Sequence, residues 1–144
     1  MLFDRTSVDE VFVEIYGCTM EQLFVLFRYM SYRRKYRTVI FYANWFSLFF
    51  NKQAENVKKK IIWTLELIED LQRIPESYLK HITGADGLYE IRVKVGNNIF
   101  RIFCFFDQGN LVVAVNGFQK KDQKTPRREI EMALKIMEEY FNEK

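Results

Sequence analysis

At 144 residues the chain is long enough for one domain with a substantial core, and 49% hydrophobic with 17% aromatic residues against only 2 Pro and 6 Gly excludes a disordered or low-complexity protein. One His and two widely separated Cys, Cys18 and Cys104, are too few soft ligands for a zinc site. The thiols read as reduced and partly buried rather than bridged. The net charge of +3 divides unevenly: residues 1–29 carry two basic and five acidic side chains, residues 30–144 carry 20 and 14, so the longer part is a basic module suited to a polyanionic partner.

Taken in chain order, Ser7-Val8-Asp9-Glu10 and Thr19-Met20-Glu21-Gln22 have capping-box spacing, and the apolar positions after each predict a short helical pair over 7–30. Tyr36–Tyr42 is β-branched and aromatic, which predicts a strand, and a short helix is expected over 44–51. From Ala54 to Ile74 the positions Val57, Ile61, Leu65, Ile68 and Leu71 make one helical face, closed by Pro75. His81 to Asp86 reads as a loop around Gly84. Three strands follow, 87–95, 98–107 and 110–118, joined by Gly96-Asn97 and Gln108-Gly109. Thr125 offers a capping hydroxyl before Pro126, and Ile130, Ala133, Leu134, Met137 and Phe141 stripe a final helix. This order of elements predicts an α+β fold. No apolar run approaches the roughly 20 residues of a membrane span, and the first residues lack the pattern of a signal peptide, so a cytoplasmic protein without a membrane partner is expected.

The turns imply a register. With Gly96-Asn97 as a two-residue loop, Arg92 faces Arg101, while Tyr89, Ile91, Val93, Phe100, Ile102 and Cys104 share the opposite, apolar face. With Gln108-Gly109 as the next loop, Asn116 comes beside Arg101 and Phe118 beside Ile99. Like charges directly opposite are destabilising, so either an anion lies between the arginines, or Glu90 neutralises Arg92 diagonally and Arg101 snorkels over the edge. The stretch Phe118–Arg128 adds Lys120, Lys121, Lys124, Arg127 and Arg128 beside that face. Cations mixed with rings on a sheet suit single-stranded RNA, with a solvated loop as the plainer account.

GLYEIRV (Gly87–Val93), IFRIFCFF (Ile99–Phe106) and NGFQKKDQKTPRREIEMA (Asn116–Ala133), after KKKIIWTLELIEDLQRIPESYLKHITG (Lys58–Gly84), resemble phage-derived, HigB-like members of the RelE/ParE toxin superfamily over about residues 36–143. The resemblance implies a RelE-like domain over 30–144. Its N-terminal helices and a C-terminal helix pack on a twisted antiparallel sheet of about four strands. It implies the toxin of a type II toxin-antitoxin system: a ribosome-dependent, metal-independent endoribonuclease that cleaves mRNA by 2′-hydroxyl attack and needs no cofactor. Its partners would be mRNA on the ribosome and a cognate helix-turn-helix antitoxin. The alternatives are a ParE-like inhibitor of DNA gyrase, or a decayed toxin that only binds.

Within that reading Arg92 and Arg101 hold the scissile phosphate. Lys120 and Lys121 hold neighbouring phosphates or lend a proton, Phe118 stacks on a base, and Asn116 and Lys124 complete the RNA contacts. His81, of the residue type that exchanges protons near neutral pH, is a candidate acid or base or else a hydrogen-bonded loop residue. Glu90 is a candidate base or the partner that orients Arg92. Residues 1–29 lie outside the resemblance. They read either as upstream sequence before a natural start at Met30, the favoured reading, or as a helical pair whose acidic balance covers part of the basic face.

Overall fold

Three consecutive strands, buried on both faces along much of their length, build the centre of the molecule. The computed structural model describes residues 35–109 and 111–144, together with Thr19, Glu21 and Gln22, and Lys35–Lys144 form one compact unit. Strands β1 (Thr38–Phe41), β2 (Leu79–His81), β3 (Leu88–Val95), β4 (Asn98–Asp107) and β5 (Leu111–Lys120) form one sheet in the order β1-β5-β4-β3-β2. Three helices complete it: α1 (Trp45–Asn51), α2 (Glu55–Asp70) and α3 (Arg127–Glu143). The fold is α+β, as expected.

The sheet departs from expectation in two places. It has five strands rather than about four, because Leu79–His81, expected partly as loop, pairs antiparallel with β3. It is mixed rather than antiparallel, because β1 lies parallel to β5, with Val39 opposite Val112. Two helices and three strands intervene between β1 and β5, a connection long enough to return the chain in the same direction.

Both sheet faces are covered. Ile91, Val93, Phe100, Ile102 and Cys104 pack with Phe46 and Phe49 of α1 and Val57, Ile61, Leu65 and Ile68 of α2. Leu88, Phe103, Phe105, Val113 and Val115 pack under Ala133 and Ile136 of α3. Cys104 is a free thiol, and complete burial pushes it well above its ordinary pKa. Gly117 lets α1 approach β5 closely, since a Cβ there would lie 2.5 Å from the Phe49 ring.

Helix α2 stops at Asp70, short of the expected Ile74, and Leu71 turns extended and is exposed. The physical cause comes from outside the helix. The Arg37 guanidinium donates to the carbonyls of Ile68 (2.6 Å), Leu71 and Gln72 (2.9 Å), putting a cation on the negative helix end. Glu69 then secures the neighbouring chain, accepting from the Val39 amide at 3.0 Å and pairing with Lys35 at 2.6 Å.

The first hairpin has the expected register, Val95 opposite Asn98, with Gly96 at a φ of +59° that glycine adopts freely. The second does not. Asp107 pairs with Leu111, so the loop takes three residues, with Gln108 and Gly109 both at positive φ. Further along, Val115 and Asn116 together oppose Phe103, a β-bulge between the pairs Ile102/Gly117 and Cys104/Ala114. The two shifts add to two residues. Phe118 therefore stands beside Arg101, and Asn116 does not; Lys120, not Phe118, stands beside Ile99.

Of the N-terminal expectations, the second capping box forms. The Thr19 amide donates to Gln22 Oε1 at 3.0 Å and the Gln22 amide to Thr19 Oγ1 at 3.3 Å. The remainder of the 7–30 helical pair, the boundary at 29/30, the start at Met30 and Cys18 lie outside the described residues.

Candidate nucleic-acid interface

Helix α3 covers only the half of its sheet face that carries Phe103, Phe105, Val113 and Val115. The other half is polar, and the ladder arranges it in rows. One row runs Arg92, Arg101, Phe118 across β3, β4 and β5; the next toward the hairpin end runs Lys94, Ile99, Lys120. On the other side of the arginines, Lys80 faces Glu90 across β2 and β3.

The arginines pair as the first turn predicts, and both alternatives for their neutralisation are answered by one group. Glu90 Oε1 lies 3.5 Å from Arg101 Nε and 3.6 Å from Arg92 Nε, so a single carboxylate oxygen bridges both cations. Arg101 is 5% exposed and does not snorkel to the edge; its Nη1 donates to the Phe100 carbonyl at 3.0 Å. Arg92 is partly exposed, and its Nη1 reaches the Glu76 carbonyl at 3.3 Å. Burial lowers the Arg101 pKa; Glu90 opposes the shift and Arg92 adds to it. Burial likewise lowers Lys120, with Arg101, Arg92 and Lys80 adding and Glu90 opposing, so Lys120 shares the field of the arginine row.

Glu90 Oε2 accepts the Thr125 hydroxyl at 3.3 Å. That hydroxyl is not a helix cap: Pro126 occupies the N-cap position and α3 begins at Arg127. Residues before proline favour extended backbone, which leaves the Thr125 side chain free for the buried carboxylate. The bulge residue Asn116 is buried and sends Nδ2 toward Glu129 Oε2 of α3, 3.5 Å away. Phe118 is half-buried and stacks on Phe103 with centroids 5.6 Å apart. Among the described residues, three buried side-chain atoms have no hydrogen-bond partner: Arg92 Nε, Arg101 Nε and Asn116 Oδ1. All three belong to this face.

The remaining candidates lie further off. Lys121 and Lys124 are exposed on the connection between β5 and α3, and Arg127 is occupied in an exposed pair with Glu131. His81 sits at the end of β2 opposite Tyr89, its ring 5.2 Å from the Tyr89 ring. Tyr89 packs with the α1/α2 core, so cross-strand pairing puts His81 on the sheet face opposite to the arginines. Lys80 and Thr125 join the face although the sequence does not single them out. Three residues of β2 are too short for an alternation signal that would place Lys80, and the capping position before Pro126 already accounts for Thr125. No three His, Cys, Asp or Glu side chains among the described residues come together as a metal-binding group, and no helix among them is long and apolar enough to cross a membrane.

Residues 48–138 match the protein family described as phage derived protein Gp49-like (DUF891). The matched span runs from α1 into α3 and includes the whole arginine row. No curated protein matches the chain.

Proposed function

The chain belongs to the family of phage-derived Gp49-like proteins, and from the cationic row on its sheet we propose that it is a toxin of the HigB-like kind, a ribosome-dependent endoribonuclease of a type II toxin-antitoxin system. The observation that carries this reading is the directly opposed pair of buried Arg101 and partly exposed Arg92, each with a buried, unfilled Nε donor and one shared carboxylate. Opposed like charges cost stability in a ladder, and a site that stabilises a negatively charged transition state is a reason to keep them.

Cleavage within an RNA strand by its own 2′-hydroxyl makes a bond from that oxygen to phosphorus and breaks the bond to the 5′-oxygen, with the 2′-hydroxyl proton passing to water and a proton taken up by the departing 5′-oxygen. Negative charge builds on the non-bridging oxygens. Arg92 and Arg101 neutralise that charge with preorganised N–H donors, at no reorganisation cost during the step. Lys120, half-buried one row away and lowered in pKa by burial and by the same cations, is placed to hold the adjoining phosphate or to protonate the leaving oxygen. Phe118 offers a ring beside Arg101 for a base. Lys121 and Lys124 extend the phosphate track along the connection to α3. The ribosome supplies the alignment of 2′-hydroxyl and phosphorus that the protein alone does not impose. The partners in this reading are ribosome-engaged mRNA and a helix-turn-helix antitoxin, and the protein acts in the cytoplasm without a metal.

The test is end-mapping of mRNA in translating extract. Cuts within ribosome-covered codons, leaving 2′,3′-cyclic phosphate ends that disappear when translation initiation is blocked, are expected. Intact mRNA together with inhibition of DNA supercoiling would place the protein with gyrase inhibitors instead.

A further inference from the structure

Among the described residues, Glu90 is the one acidic side chain paired with both arginines, and its geometry suits neither an orienting partner nor a base. An orienting carboxylate forms close forked hydrogen bonds with a guanidinium. Here a single oxygen stands 3.5 and 3.6 Å from two Nε atoms, and both donors stay unpaired. A base needs an oxygen open to substrate. Oε1 lies between the arginines, Oε2 holds the Thr125 hydroxyl at 3.3 Å, and the side chain is 7% exposed.

What remains is an anion resting where an anion binds. We propose that Glu90 is the resident anion of the phosphate seat, a built-in competitor that an RNA phosphate displaces from between Arg92 and Arg101. The inference rests on the phosphate-binding reading above and adds its regulation. A phosphate brings tetrahedrally arranged oxygens able to fill both Nε donors, which the carboxylate neutralises without saturating. Displacing Glu90 also breaks its contact with Thr125. The connection 121–126, which carries Lys121 and Lys124, is thereby released when the seat is taken, so occupancy of the seat and freedom of the lysines are coupled. In the absence of RNA the carboxylate keeps the buried Arg101 from standing uncompensated beside a second cation, which would cost the fold more than the pair gains it.

The experiment measures binding of the full chain to a fluorescent 2′-O-methyl single-stranded RNA, which cannot be cleaved. Glu90→Gln keeps the side-chain length and an acceptor for Thr125 but removes the competing charge, and it is expected to bind at least about tenfold more tightly than wild type. Arg101→Ala is expected to bind more weakly. Equal or weaker binding by Glu90→Gln, with Arg101→Ala impaired, overturns the proposal and leaves the phosphate-binding reading standing. Unchanged binding by Arg101→Ala overturns that underlying reading. Should Glu90→Gln not fold, Glu90→Asp retains the charge and draws the carboxylate back by one methylene. It must then still bind more tightly than wild type, and failure to do so refutes the displacement.

Discussion

Arg92 and Arg101 differ in a way that separates their roles. Arg101 is nearly enclosed and held by the Phe100 carbonyl, whereas Arg92 stands partly in solvent at the strand beside β2. In the proposed site, Arg101→Ala removes the buried phosphate donor and leaves Glu90 with Arg92 alone, and Arg92→Ala removes the more exposed donor. Each substitution takes away a charged hydrogen bond worth roughly 1.5–3 kcal/mol, so growth inhibition on induced expression should vanish in both while the proteins remain folded. Circular dichroism supplies the folding control, and full toxicity with normal expression in both would remove the arginines from the site. The same scale explains why His81 drops from the arginine site: in a strand, one residue of register decides the face, and pairing with Tyr89 puts it on the wrong one.

At the scale of elements, the connection between β5 and α3 and the end of α2 each make a separate prediction. Lys120, Lys121 and Lys124 run from the end of β5 into that connection, and in the proposed reading the RNA phosphates they neutralise release counterions. Replacing all three by Ala should weaken RNA binding and flatten its dependence on the logarithm of salt by roughly 0.7 for each single-strand phosphate left without its lysine. An anisotropy titration at several salt concentrations checks this, and an unchanged slope would make the loop a mere linker. Helix α2 has no basic residue in its own last turn, and Arg37 supplies the missing charge from the segment before β1. Arg37→Leu should cost about 1–3 kcal/mol by stripping those carbonyls of their donor. Urea denaturation reads that destabilisation as a lower midpoint with unchanged m-value.

Across the whole molecule, the ends of β4 and α3 are tied by one carboxylate. Asp107 accepts from the Tyr140 hydroxyl at 2.8 Å and pairs with Lys144, and these partners hold its carboxyl below the ordinary aspartate range. A carboxyl depressed in the folded chain binds its proton first in the unfolded one. Its contribution is therefore complete above the unfolded value of about 3.9 and disappears as pH falls through the lower folded value. The same contacts raise Tyr140 and Lys144, while Tyr42, hydrogen-bonded to Glu143, is pushed up to about 12. Thermal melts of wild type and Asp107→Asn should differ most at neutral pH, and the gap should shrink as pH falls below the unfolded aspartate value of about 3.9 and through the lower folded one. A constant gap across that range would show that the tie works by packing rather than by charge.

Local chemistry sufficed for the three helices among the described residues, the three strands of the meander and the arginine pairing, because periodicity and a glycine-led two-residue turn act over a few residues: Val95 had to meet Asn98, and Arg92 then had to meet Arg101. A phage-derived family was legible in the same stretches, and residues 48–138 match the Gp49-like family. Four features were decided only in three dimensions. The parallel docking of β1 on β5 joins segments far apart in the chain, with no signal in either. The three-residue second turn and the bulge at Val115-Asn116 exchanged Asn116 for Phe118 beside Arg101. Strand β2 exists because β3 offers it a partner, not because Leu79-Lys80-His81 prefers to be extended. The bridging of both arginines by one oxygen of Glu90 needed the burial of Glu90 and Arg101, since in open water each ion would have kept its own hydration shell, and only tertiary packing brings that carboxylate between the two cations.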